Sequence, residues 1–181
     1  MDFTTTPTPA GPLTIVVDDE GAVLASGWTT DPGELVDLVA GELRGDGSLR
    51  ERRDLGNVTG AVARYLAGDV LAVDDVEVRQ RSGPFRSHAW DVLRQVPPGA
   101  PVTYAELAAK AGRPAAVRAA AGACGFNAAA LFVPCHRVVR TGGGMGGFRW
   151  GLDVKRWLLA HESGPAGAAA GTGRQSALTA G

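Results

Sequence analysis

The chain has 181 residues, 45% of them hydrophobic and 20% charged, with a formal net charge of −1 at pH 7. That balance excludes bulk disorder, no run reaches the roughly eighteen apolar residues of a membrane span, and Met1-Asp2-Phe3 does not open a secretory signal, so a cytoplasmic protein is expected. Two cysteines, Cys124 and Cys135, with His88, His136 and His161 assemble neither a disulfide framework nor a four-ligand zinc site, so reduced thiols and no metal are expected.

The small net charge conceals an asymmetry. Residues 1–83 hold seven Arg and fifteen acids, a net −8, whereas residues 84–162 hold ten Lys or Arg against four acids, a net +6. The second half is the one suited to a polyanion, although a basic surface can also be merely solvated.

In chain order, Leu13–Val17 and Ala22–Trp28 are apolar, partly β-branched runs around Asp18-Asp19-Glu20-Gly21, which predicts two strands and a glycine-containing turn. Apolar positions within Glu34–Arg44 and Val58–Leu66 fall near one helical face and predict two helices. Val70–Val78, with Val73, Val76 and Val78, reads as a further strand. Ser82-Gly83-Pro84 is a break, and Pro84 suits the first position of a helix through Val96. Thr103-Tyr104-Ala105-Glu106 is a capping box opening a helix that ends at Gly112, and Pro114 is expected to start another running to about Cys124. Two short helices around a tight turn, with Arg118 early in the second, match a helix-turn-helix, a pattern shared with helical hairpins that touch no DNA.

The apolar run Ala128–Val133 reads as a central strand that Pro134 ends, turning Cys135-His136-Arg137 outward. A thiol becomes a good nucleophile as thiolate, which His136, Arg137 and Arg140 would favour; a lone Cys-His pair is equally what a packed, inert cysteine looks like. Gly142–Gly147 is expected to be a mobile, substrate-facing loop, without the Gly-Lys-Ser/Thr of a phosphate cradle. The last helix is predicted from Asp153 as N-cap to Glu162, and the Gly-, Ala- and Ser-rich residues 163–181 as a disordered tail. The fold class is therefore α+β, with a mixed α/β domain over 1–81 and a mainly helical domain with a helix-turn-helix over 82–162.

Taken together, Phe85–Glu162 resembles the O6-alkylguanine-DNA alkyltransferase family. The resemblance is carried by Tyr104, the helix-turn-helix with Arg118, Asn127, Pro134-Cys135-His136-Arg137-Val138-Val139, the glycine-rich loop, and Val154 to Glu162. Gly11-Pro12-Leu13-Thr14 also looks like the family's N-terminal domain, and the similarity fades between about residues 30 and 80. The resemblance implies an irreversible, single-turnover transfer of an alkyl group, mainly methyl, from O6-alkylguanine in double-stranded DNA to Cys135. His136 would draw the thiol proton through a water and Glu162 would orient the histidine. Asn127 would fix the turn before the active-site segment, and Tyr104 would donate toward the guanine ring. Arg118, with Ala119 and Arg137 at the DNA, would fill the gap left by a base swung out of the duplex. Val138, Met145, Phe148, Arg149 and Trp150 would border the pocket. His161, adjacent to Glu162 on the helix, must point elsewhere and is expected at the surface. The resemblance implies no cofactor, no membrane and a monomer.

Two departures from the family pattern stand out. Arg149-Trp150 replaces small residues beside the alkyl pocket, so Trp150 should narrow it and disfavour benzyl-sized groups. Ala128 stands where a proline often follows the asparagine. Other readings are a non-catalytic lesion-binding relative, against which Cys135 argues, a Cys-His hydrolase, for which no oxyanion hole is evident, and a helix-turn-helix regulator.

Overall fold

The computed structural model describes residues 1–164; the expected tail lies, from residue 165 on, outside the described residues. The first half is built on a four-stranded sheet of β1 (Asp2–Thr8), β2 (Gly11–Val17), β3 (Val23–Gly27) and β4 (Arg50–Glu51), ordered β3-β2-β1-β4. β2 is antiparallel to both β1 and β3, and β4 runs parallel to β1. The predicted hairpin is β2–β3. Its turn closes because Asp18 Oδ1 accepts from Glu20 N and Ala22 N, with Gly21 at φ +88 supplying the left-handed residue.

α1 (Pro32–Val36) and α2 (Asn57–Leu66) accompany the sheet. α3 (Pro84–Gln95) starts with Pro84 in its first turn, as expected. In α4 (Tyr104–Lys110) the capping box is formed in both directions: Thr103 Oγ1 accepts from Glu106 N, and Glu106 Oε2 accepts from Thr103 N. α5 (Val117–Gly125) follows across a turn containing Gly112 at φ +76, completing the helix pair. β5 (Val102–Thr103) and β6 (Val138–Val139) pair in parallel, and α6 (Leu152–Glu162) ends the described chain. The mixture is α+β.

Five local expectations are corrected. Glu34–Arg44 is not one helix but the short α1 followed by a 3-10 turn at Gly41–Leu43. Val70–Val78 forms successive turns, with its ladder pairing to the sheet limited to an isolated bridge from Val78 to Val23. Val70, Val73 and Val76 are buried at every third residue, a spacing that turns satisfy and a strand does not. α5 begins at Val117 rather than Pro114, and Asp153 lies in the first turn of α6 with Gly151 at the cap.

Ala128–Val133 is a buried turn, not a strand: Val133 N bonds Ala129 O within the segment. Three of its other backbone groups are taken up by Ser26 of β3. Ser26 N donates to Ala128 O at 2.9 Å, Ala130 N to Ser26 O at 3.2 Å, and Ser26 Oγ to Ala130 O at 2.6 Å. One buried cluster runs from Leu13 and Ile15 through Tyr65 and Leu93 to Leu107, Leu131 and Leu158, so both halves share apolar contacts beneath the Cys135 segment. No helix among the described residues is long and apolar enough to cross a membrane.

Candidate active site

Cys135–Arg137 forms a single 3-10 turn, entered from Pro134 and continued by β6. Because β6 lies beside β5, and α4 starts at the end of β5, Tyr104 is brought to the same place as Cys135. Both line a cavity of about 310 Å³, together with Cys124, Asn127 and the loop residues Phe148, Arg149 and Trp150. Of the expected pocket residues, Met145 and Val138 are not in this lining. Val138 is buried on β6, where its carbonyl accepts from Lys155 Nζ at 2.6 Å.

The thiol has one close polar neighbour. Asn127 Nδ2 donates to Cys135 Sγ at 3.1 Å and to Val133 O at 2.8 Å. Asn127 Oδ1 accepts from Ala129 N and from Gln80 Nε2, at 3.1 and 3.0 Å. Gln80 Oε1 in turn accepts from Ala128 N at 2.8 Å. A proline at position 128 would have no such N–H, so the departure at Ala128 and the amide of Gln80 belong together. Burial pushes the Cys135 thiol above its ordinary range, while the Asn127 hydrogen bond and the charges of Lys155 and Arg149 pull the other way. Burial also pushes up the Cys124 thiol.

His136 is fully buried, and its Nε2 lies 2.9 Å from Glu162 Oε1. Burial, aided by the charges of Arg137 and Lys155, lowers the affinity of the ring for a second proton despite the opposing carboxylate. Glu162, also fully buried, is pushed upward by burial, but His136 and Arg137 outweigh this and hold it well below the carboxylate range. An ionised carboxylate only accepts, so Nε2 carries the ring hydrogen and the lone pair is on Nδ1, which has no hydrogen-bond partner.

Arg137, expected at the DNA, is corrected: it is 1% exposed, with Nε 2.9 Å from Glu162 Oε2, Nη2 2.9 Å from Oε1, and Nη1 on Val96 O. A buried carboxylate needs more than one donor, and this arginine is its main counter-charge. His161, expected at the surface, is half-buried, stacked on Trp157 with centroids 4.8 Å apart and with Nε2 2.7 Å from Tyr65 O. Adjacent positions on α6 do diverge: Glu162 alone faces the site.

Sequence reasoning missed three side chains. Tyr65, from α2, donates to Glu162 Oε1 at 2.8 Å; Gln80 holds Asn127; and the buried Lys155 Nζ ties β6 to Gly147 O, 3.3 Å away. Each is distant in sequence from its partner or masked by an ordinary helical pattern. Among the described residues, no group of three His, Cys, Asp or Glu side chains is arranged to hold a metal ion.

Arg118 and Ala119 are exposed in the first turn of α5. Arg118 borders a shallow trough of about 520 Å³ with Arg86 and Arg113, so three of this half's positive charges lie together beside the helix pair. Phe126, 61% exposed, carries the Arg86 guanidinium 4.1 Å from its ring centre.

Residues 84–164 match the model of the 6-O-methylguanine DNA methyltransferase, DNA binding domain. The methylated-DNA–protein-cysteine methyltransferase of Salmonella typhimurium is 35% identical over 156 residues, spanning 86% of this chain and 91% of the relative. That of Mycolicibacterium paratuberculosis is 30% identical, spanning 90% and 92%. Among solved structures, the Mycobacterium tuberculosis protein OGT in complex with DNA superposes with a TM-score of 0.73 at 27% identity, over 90% of this chain and 93% of that one. The chain belongs to the methylated-DNA–protein-cysteine methyltransferase family.

Proposed function

We propose that this protein repairs DNA by taking the alkyl group of an O6-alkylguanine, swung out of the duplex, onto Cys135 in one irreversible turnover. The observation that carries the reading is the position of Cys135 in the 310 Å³ cavity, bonded to Asn127 and adjacent to the buried His136–Glu162 pair. The membership of a methyltransferase family that acts through a cysteine supports it.

The thiol at rest is protonated, since burial disfavours the thiolate. Its proton passes, by way of a water, to Nδ1 of His136, the ring nitrogen with a free lone pair. Glu162 holds the Nε2–H and stabilises the imidazolium that forms. The sulfur lone pair then attacks the alkyl carbon, the carbon–O6 bond breaks, and its electrons leave with guanine. Asn127 Nδ2 and the Lys155 charge stabilise sulfur as it becomes anionic. Tyr104, whose hydroxyl proton burial holds more firmly than usual, donates toward the leaving base. A thioether is left on the protein, and nothing among the described residues regenerates the thiol.

An alkyl carbon stacked inside a helix cannot reach a buried sulfur, so extrusion is required at about a few kcal/mol, with Arg118 filling the gap. Trp150 in the cavity wall favours methyl over benzyl. The test is intact mass after incubation with a duplex carrying O6-methylguanine. One added methyl per chain, abolished in Cys135→Ala and retained in Cys124→Ala, is the expected result; continuous release of product would instead indicate hydrolysis.

A further inference from the structure

The wall of the cavity is seated on the first half of the chain. A Cβ at Gly27, the last residue of β3, would lie 2.0, 2.2 and 2.6 Å from Cζ2, Cε2 and Cη2 of Trp150. The indole therefore occupies the volume that any other residue at position 27 would fill. Gly27 is buried and its φ lies outside the left-handed region, so space and not backbone strain is what demands glycine. The next residue does similar work: Trp28 packs on Phe148 with ring centres 6.2 Å apart, and Phe148 lies edge-on to His136 at 6.5 Å. The strand cannot yield easily, because Ser26 is bonded three times to Ala128 and Ala130.

Trp150 lines the cavity and Gly27 does not, so the indole stands between strand and cavity. It is followed by Gly151 at φ +96, where the chain turns into α6. We propose that Gly27 is a specificity-determining residue: it gives Trp150 room to lie back, and thereby sets the width of the space that receives the alkyl group. A side chain at position 27 drives the ring toward Cys135 and excludes larger groups. The proposal rests on the transfer reading above.

The test measures second-order transfer rates, by intact mass, on duplexes carrying O6-methylguanine or O6-ethylguanine. One methylene in a tight pocket is worth about tenfold or more, so Gly27→Ala is expected to lower the ethyl-to-methyl ratio by roughly tenfold. In the Trp150→Ala background the same substitution should leave the ratio unchanged. Trp150→Phe, whose shorter ring withdraws from Gly27, should raise the ratio and covers the case in which Gly27→Ala does not fold. An unchanged ratio in Gly27→Ala or in Trp150→Phe, or an equal change with and without the indole, overturns the proposal. Absence of methyl transfer by the unaltered protein overturns the transfer reading, and this inference with it.

Discussion

The Tyr65 hydroxyl donates to Glu162 Oε1 at 2.8 Å, the same oxygen that accepts from His136 Nε2. A residue of α2 is thus in contact with the carboxylate paired to His136, across 97 positions of sequence. The relay is finished by the half of the chain that carries no DNA-binding helix.

Tyr65→Phe keeps the ring in the core and removes one donor from Glu162. The carboxylate becomes more basic, the imidazolium of His136 is better stabilised, and the ring's affinity for a proton rises. The acid limb of the methyl-transfer rate should therefore move to higher pH, with a loss of roughly fivefold on that limb and little change above neutrality, the weight of about 1 kcal/mol for one hydrogen bond. Rates across a pH series, set beside the melting temperature, decide it: a lowered Tm with an unmoved limb means Tyr65 only packs.

Arg137 and Glu162 form a buried ion pair, and the loss of either partner strands a charge. Arg137→Met and Glu162→Gln should each cost about 3–5 kcal/mol of stability, read by denaturant unfolding. The pH dependence follows from the direction of the Glu162 shift. Its folded-state pKa is depressed below the ordinary 4.5, so its stabilisation is present above that value and is lost as pH falls through the folded-state pKa. Unfolding on acidification should thus begin below about pH 4.5 in the native protein, and the contribution of this carboxylate should vanish from the profile of Glu162→Gln.

Much of the second half was legible because its signals are local. Pro84, the Thr103–Glu106 box and Gly112 punctuate helices through their own backbone chemistry, and Cys135-His136 is contiguous. The first strand escaped notice since Thr4, Thr5, Thr6 and Thr8 replace apolar alternation with β-branched hydroxyls, which pair across to β2, as in Thr5 Oγ1 to Thr14 Oγ1 at 2.8 Å. Arg137 was misplaced for a physical reason: a basic residue in a basic half reads as exposed unless its buried partner, 25 positions away, is known. Gln80, Tyr65 and Lys155 are determined by tertiary contact alone.

Lys155 Nζ is buried against Val138 O, and its charge lowers the proton affinity of the Cys135 thiol. Lys155→Met leaves that carbonyl without its donor and raises the thiol further. A loss of about one pKa unit of thiolate stabilisation corresponds to roughly tenfold at neutral pH, recovered in part as pH rises. Iodoacetamide labelling of Cys135 in a Cys124→Ala background, followed against pH, gives the shift directly. Labelling curves that coincide for the two proteins would remove Lys155 from the account.

The proposed role of Arg118 concerns duplex geometry and not the chemical step. Arg118→Ala should slow transfer from a duplex by about ten- to a hundredfold, the weight of the few kcal/mol that extrusion costs, and slow transfer from a single strand far less. Parallel rates on the two substrates separate the roles, and an equal loss on both would place Arg118 in general DNA binding.

Gln80 is the remaining link. Its amide satisfies both Asn127 Oδ1 and Ala128 N, and it lies in the segment leading into α3. Gln80→Leu removes both bonds at once and leaves Ala128 N unsatisfied, a cost of about 1–3 kcal/mol where water cannot reach it, while Asn127 Oδ1 keeps Ala129 N as a donor. Because Asn127 also holds Cys135 Sγ, the damage reaches the reaction: the amide loses one of its restraints, keeping Ala129 N and Val133 O, and its bond to the sulfur loosens. Pairing Gln80→Leu with Ala128→Pro removes the orphaned N–H and leaves only an Asn127 oxygen with one donor in place of two. The double variant should therefore recover part of the stability lost in Gln80→Leu while transfer remains slow, and unfolding free energies of the two single variants and the double variant measure that coupling. Strictly additive energies would mean that Gln80 and position 128 do not act through the same bond.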